Sequence, residues 1–216
     1  MKLTIVYDND VYKKDIGLKS DWGFCCLIET GEETILFDTG AKGRLLLYNM
    51  KKLDVDPSSI NKIVISHEHW DHNGGLESLM AFVVDAALYR LGAKSPSRKI
   101  DLTIVEEPQN IATNVWTTGR LNGTPLDEQS LVLKGKNGWY VLAGCSHPGV
   151  EQILDASRQL GNIVGLIGGL HGFDDFSILE DLEVVCPAHC TKNKKKIYEL
   201  FPKTSVECGV GKIIEI

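Results

Sequence analysis

Short apolar runs separated by polar, glycine-rich breaks recur along this chain, and they predict strands more often than helices. Residues 3–7 form a first run, closed by the turn-forming cluster Asp8-Asn9-Asp10. Residues 23–30 and 34–38 flank Gly31-Glu32-Glu33, the pattern of a hairpin. Residues 43–53 predict a helix and residues 62–66 a strand. From 75 to 91, apolar positions Leu76, Leu79, Met80, Val83, Val84, Ala87, Leu88 and Leu91 keep helical spacing and predict one core-facing helix. A strand follows at 102–105, and 109–129 reads as short strands and turns. Residues 131–133 and 139–143 predict a second hairpin, 150–160 a helix, 162–168 and 182–185 strands. The lysine-rich stretch opening the helix at 192–201 reads as a solvated face. Residues 206–208 and 212–216 close the chain as short strands.

Composition narrows the class. The 216 residues fit one domain, spanning 1–216, with enough chain for a sizeable core. A net charge of −6 favours neither nucleic acid nor an anionic membrane as partner. No apolar stretch approaches the ~20 residues of a membrane span. The first apolar run is too short for a secretory leader, so a cytoplasmic location is expected. In that compartment the six cysteines are expected to be free thiols. Adjacent Cys25 and Cys26 fall on opposite faces of a strand.

The candidate chemistry lies in Ser66-His67-Glu68-His69-Trp70-Asp71-His72-Asn73-Gly74-Gly75. Three of the chain's six histidines sit here, between a strand and a glycine pair that opens a helix. A solvated polar loop would not concentrate them so. His67 and His69, two apart in an extended segment, point the same way. Asp71 and His72 approach from the turn into the helix. Imidazole and carboxylate donors suit zinc, or manganese or iron where oxygen is richer. Four donors on one loop exceed the need of one tetrahedral ion with an open position, so two adjacent divalent ions are expected. Two further apolar runs lead to histidines, in Gly144-Cys145-Ser146-His147-Pro148-Gly149 and Cys186-Pro187-Ala188-His189-Cys190-Thr191, and a third to Gly168-Gly169-Leu170-His171. His147 repeats the strand, loop and helix layout of the first site.

The string H-E-H-W-D-H resembles the H-x-H-x-D-H signature of the metallo-β-lactamase superfamily. The strings G-L-K-S-D-W-G-F, I-L-F-D-T-G, G-C-S-H-P-G, G-G-L-H and P-A-H-C-T are similar to one branch, the metal-dependent hydrolases related to the archaeal dihydropterin–ribofuranosylaminobenzene 5′-phosphate synthase. The resemblance spans nearly the whole chain and is weakest at 75–108, where loss of a strand is expected. It implies an α/β (α+β) fold, a four-layer αβ/βα sandwich with its site at one edge between two sheets. It implies that Asp38 braces the metal loop without binding metal. His67, His69 and His147 would hold one ion, and Asp71, His72 and His189 the other. In the superfamily's fourth motif an Asp bridges the ions. Here the matching place falls to His171, whose imidazole has one free lone pair and cannot bridge in that way.

The implied reaction is hydrolysis of an ester, phosphoester or related small molecule, with Asp71 and His171 as catalytic residues. Cys145 and Cys190 adjoin ligand loops, but histidine and aspartate already fill the expected positions. The alternatives are a pterin-related synthase and a catalytically silent metal-binding regulatory protein. The fold leaves substrate, metal and oligomeric state open.

Overall fold

The computed structural model describes residues 1–216. Its elements run β1 (Lys2–Tyr7), β2 (Cys25–Glu29), β3 (Thr34–Phe37), α1 (Gly43–Lys52), β4 (Lys62–Val64), α2 (Trp70–Asn73), α3 (Leu76–Leu79), β5 (Ala87–Arg90) and β6 (Asp101–Ile104). The second half follows as β7 (Gln109–Ala112), β8 (Val115–Thr117), β9 (Leu131–Lys134), β10 (Trp139–Ala143), α4 (Val150–Arg158), β11 (Ile163–Gly169), β12 (Val184–Ala188), α5 (Lys194–Leu200) and β13 (Ile213–Glu215). One sheet has the order β13-β1-β2-β3-β4-β5-β6 and the other β12-β11-β10-β9-β8-β7. Strands β3 to β6 are mutually parallel, as are β10 to β12, and the remaining neighbours are antiparallel.

Strand periodicity builds the layers. On β2, Cys26 and Ile28 face the inner core together with Phe37, Val64, Leu131, Leu142 and Ile167 from both sheets. Cys25 and Leu27 face outward, against Leu46 and Met50 of α1 and Leu76 and Leu79 of α3. On the other sheet Val141 and Leu166 face Ile153 and Leu154 of α4 and Ile197 of α5. The result is helix, sheet, sheet, helix, the αβ/βα sandwich.

Three expectations fail. Residues 75–91 are not one helix: α3 is a single turn, and β5 pairs in parallel with β4. Leu88 and Arg90 are buried while Ala87 and Tyr89 are less so, a period of two that helical spacing hid. The open edge of β4 captures this segment, because backbone pairing there satisfies groups that a helix would leave at a sheet edge. No strand is lost, since β5 and β6 both fall within 75–108. Residues 206–208 are not a strand. Backbone pairing is limited to one isolated bridge just before it, Val185 with Ser205, and the Val206 N–H on the Val185 carbonyl.

The topology gathers strand ends at one edge. The C-terminal ends of β1, β3 and β4 lie there in one sheet, and those of β10, β11 and β12 in the other. Antiparallel β2 and β9 begin at that same edge.

Candidate metal centre

All six sequence-predicted donors converge at this edge. His67, His69 and His147 offer donor atoms within 4.8 Å of one another, and so do Asp71, His72 and His189. His67 and His72 are fully buried, and His189 and Asp71 are 3% and 7% exposed. His171 joins neither group; its ring stands 4.9 Å from that of His147 and is half-buried. Trp70 is 61% exposed and packs into no core. Glu68 points away from the centre, to Arg90 on β5 and to Asn73.

Hydrogen bonds fix which nitrogen of each buried ring is bare. Ser66 Oγ donates its one proton to Asp38 Oδ2, at 2.8 Å, so it accepts from His67 Nδ1, at 2.9 Å. His72 Nδ1 donates to Asp38 Oδ2 at 2.6 Å. His189 Nδ1 donates to Asn9 Oδ1 at 2.9 Å. All three rings therefore present Nε2 as a lone pair. His189 Nε2 lies 3.3 Å from Asp71 Oδ2 without hydrogen-bond geometry and is buried with no partner. His69 Nδ1 lies 2.9 Å from His67 Nε2 and 3.2 Å from His147 Nε2. One ring proton on His69 cannot serve both contacts fully.

Such an arrangement disfavours protonation. Burial, then the neighbouring imidazoles, pushes His67 and His72 far below the ordinary histidine range and His147 down to about 4. Neutral donors aimed at shared points, one orphaned in the interior, fit divalent cations.

Three buried carboxylates hold the ligand loops. Asp38 takes the Ser66 N–H at 2.7 Å as well as the Ser66 hydroxyl and His72. Burial raises its carboxyl well above the carboxylate range, and the Ser66 bonds oppose that shift. Glu128 accepts the backbone N–H groups of Gly144, Cys145, Ser146 and His147 at 2.9–3.1 Å. Asp8 accepts the His189 N–H at 2.9 Å. The loops they hold are strained: Asp38, Ser146, His171 and His189 have φ of 60°, 62°, 48° and 44°.

Trp22 also reaches the centre. Its Nε1 donates to Asp71 Oδ2 at 2.7 Å, and its ring packs edge-on to His189 at 5.1 Å. Gly23 permits this approach, since a Cβ there would meet the Asp71 carbonyl at 2.6 Å. Asp8, Asn9, Trp22 and Glu128 are site residues to which no sequence motif above assigns a role. Trp22 and Glu128 each lie three residues before a strand, but that the strand begins at this edge is set by sheet order and leaves no local signal.

Comparison with known proteins agrees with this arrangement. Residues 23–150 match the family model of the metallo-beta-lactamase superfamily. The chain is 26% identical to 7,8-dihydropterin-6-methyl-4-(beta-D-ribofuranosyl)-aminobenzene-5'-phosphate synthase of Methanocaldococcus jannaschii, over 91% of this chain and 90% of that one. It is 28% identical to an uncharacterised protein of the same archaeon, over 99% and 100% of the two chains. A crystallised metal-dependent hydrolase of the beta-lactamase superfamily superposes with a TM-score of 0.79 at 26% identity, covering 100% of this chain and 99% of its own. By the family model, the layered fold and the convergence of its ligand loops, the chain belongs to the metallo-beta-lactamase superfamily.

Proposed function

We propose that this chain is a metal-dependent hydrolase acting on an ester, phosphoester or related small molecule. The carrying observation is the pair of donor groups whose free nitrogens are fixed by hydrogen bonds and aimed inward. His67, His69 and His147 would hold one divalent ion, and Asp71, His72 and His189 a second. Ions of this kind supply Lewis acidity and a hydroxide at neutral pH. Zinc suits the imidazole-rich set, with manganese or iron as alternatives.

The chain's own groups do the positioning. Trp22 Nε1 binds Asp71 Oδ2 and so fixes the carboxylate plane. That leaves Oδ1 free to orient a nucleophile or take its proton. His171 stands at the open side, half-buried beside His147. Burial lowers its affinity for a proton, and the Lys192 charge adds to that. Its neutral ring can donate to a substrate oxygen or hand a proton to a leaving group.

Metal analysis of protein purified without added metal, followed by ester and phosphodiester assays with each metal restored, tests this reading. Two ions per chain at saturation and metal-restored hydrolysis are expected. No uptake of zinc or manganese would overturn it. A second reading, a pterin-related synthase, is favoured by the 26% identity to the archaeal synthase. Two bound ions with turnover only on a pterin substrate would select that one.

His171→Ala provides a separate check. Because His171 lies outside both donor groups, metal content is expected to stay at the wild-type level. Turnover is expected to fall on the order of 100-fold, the range of a lost proton donor. Loss of either ion from this variant would make His171 a ligand instead.

A further inference from the structure

Two cations held by five imidazoles and one carboxylate leave a large positive charge in a buried site. The shared anionic group that would offset it is missing from the donors described above. At the end of β11, beside the ligand loops at 144–147 and 188–190, stand Gly168 and Gly169, with no side chains. A Cβ on Gly169 would clash with the Gly144 carbonyl oxygen and lie 2.7 Å from Cys190 Sγ and 3.2 Å from Cys145 Cα. Residues 144–145 and Cys190 therefore fill the space beside it. His171 belongs to none of the donor groups there, and its ring packs edge-on to that of His147 at 4.9 Å.

Of the two thiols, Cys145 reaches both donor groups. Its Sγ lies 3.2 Å from His72 Nε2, and it forms a group with His67 and His72 whose donor atoms all fall within 4.8 Å. It forms a second such group with His189 and Cys190. One sulfur thus neighbours His67 of the first ion's set and His72 and His189 of the second. Neighbouring nitrogen and sulfur donors on one zinc stand about 3.6 Å apart, from bond lengths of about 2.0 and 2.3 Å. The 3.2 Å separation from His72 is close to that value. The orphaned His189 Nε2 is an independent sign that a cation is wanted here. Cys190 shares only the group with His189: it joins no group with His67 or His72, and its Sγ also contacts the Cys145 carbonyl at 3.8 Å. Glu128 fixes the Cys145 backbone through its N–H, at 2.9 Å.

We propose that Cys145 is a metal ligand whose thiolate bridges the two ions, in the role a carboxylate would otherwise have. The inference rests on the reading that this centre holds two divalent ions. On loading, the S–H bond breaks, its proton passes to bulk water, and the sulfur lone pairs form one bond to each ion; no electron is transferred. A sulfur bridge carries one negative charge, as a carboxylate does. It is softer, which biases the site toward zinc and away from magnesium and calcium.

The test is titration of cobalt(II) into the metal-free full chain, followed by absorption. Imidazole-bound cobalt gives visible ligand-field bands, and a thiolate ligand adds a near-ultraviolet charge-transfer band. In wild type the charge-transfer band is expected to grow across both equivalents. It is expected to vanish in Cys145→Ser with the visible bands retained, and to survive in Cys190→Ser. The second equivalent should bind Cys145→Ser on the order of 100-fold more weakly. Cys145→Asp should recover that binding without the band, which also guards against a folding defect in the serine variant. Visible bands without charge transfer in wild type would overturn the ligand assignment and leave the two-ion reading standing. A charge-transfer band complete at the first equivalent would overturn the bridge. A band lost in Cys190→Ser and kept in Cys145→Ser would overturn the choice of sulfur. No cobalt spectrum at all would remove the two-ion reading itself.

Discussion

Glu128→Ala is expected to destabilise the protein by about 4 kcal/mol or more, because an unpaired buried donor costs about 1–3 kcal/mol and four lose their acceptor. For a chain of this length that is a fall in Tm of roughly 8–16 °C. The damage is local as well as global. The same N–H groups hold the turn from Gly144 to His147, so the first ion should weaken along with the fold. Thermal unfolding with and without zinc checks both effects. A Tm within about 2 °C of wild type would mean that water replaces the carboxylate without loss.

The charge of Glu128 adds a pH signature. Burial pushes its carboxyl up to about 7, against the pull of the His147, Cys145 and Ser146 amides. A carboxyl with a folded value above its unfolded one contributes most when both states are protonated. That contribution is lost as pH rises through the folded value. Metal-free wild type should therefore lose stability relative to Glu128→Gln between about pH 5 and pH 7, at up to ~1.4 kcal/mol per unit. This is the reverse of ordinary acid denaturation. A gap that does not change with pH would show that the carboxylate is ionised throughout.

The candidate donors that the fold brings together were legible in the sequence for a physical reason. A metal needs several strong donors at once, and the strand, loop and helix grammar puts them in short strings at strand ends. His67, His69, Asp71 and His72 share one loop, and His147 and His189 follow apolar runs of the same kind. The bracing groups were not legible. Asp8 and Asn9 read as a turn, and Trp22 and Glu128 lie in irregular stretches that carry no periodicity. Their roles depend on which strand ends meet at one edge, a property of sheet order that no local pattern contains. The misreading of residues 75–91 has the same origin. Apolar spacing there suits a helix or a strand, and the unpaired edge of β4, a distant segment, decides between them. The sulfur of Cys145 was visible beside its ligand loop. Only the parallel pairing of β10 with β11, and of β11 with β12, brings it beside His72 and His189.

Asp38→Asn is expected to weaken the second ion on the order of 100-fold while the first stays bound. Asp38 is acceptor to three donors, the Ser66 N–H, the Ser66 hydroxyl and His72 Nδ1–H. An amide in its place has one oxygen and one NH₂ group. If the NH₂ faces the Ser66 amide, two N–H groups oppose each other. If it faces His72, the ring must turn its bare nitrogen to Nδ1, and Nε2 then carries the proton. A protonated Nε2 has no lone pair for a metal, so the ligand is lost although the imidazole remains. The first ion is sheltered, because His67 is reached through the Ser66 hydroxyl, which can rotate to accept as before. Stability should fall by about 3 kcal/mol, the scale of breaking a buried hydrogen-bonded pair by changing one partner. Metal titration followed by denaturant unfolding of the loaded and metal-free variant measures both terms. A second binding step within about threefold of wild type would show that His72 keeps its tautomer without Asp38, and that the carboxylate serves the fold alone.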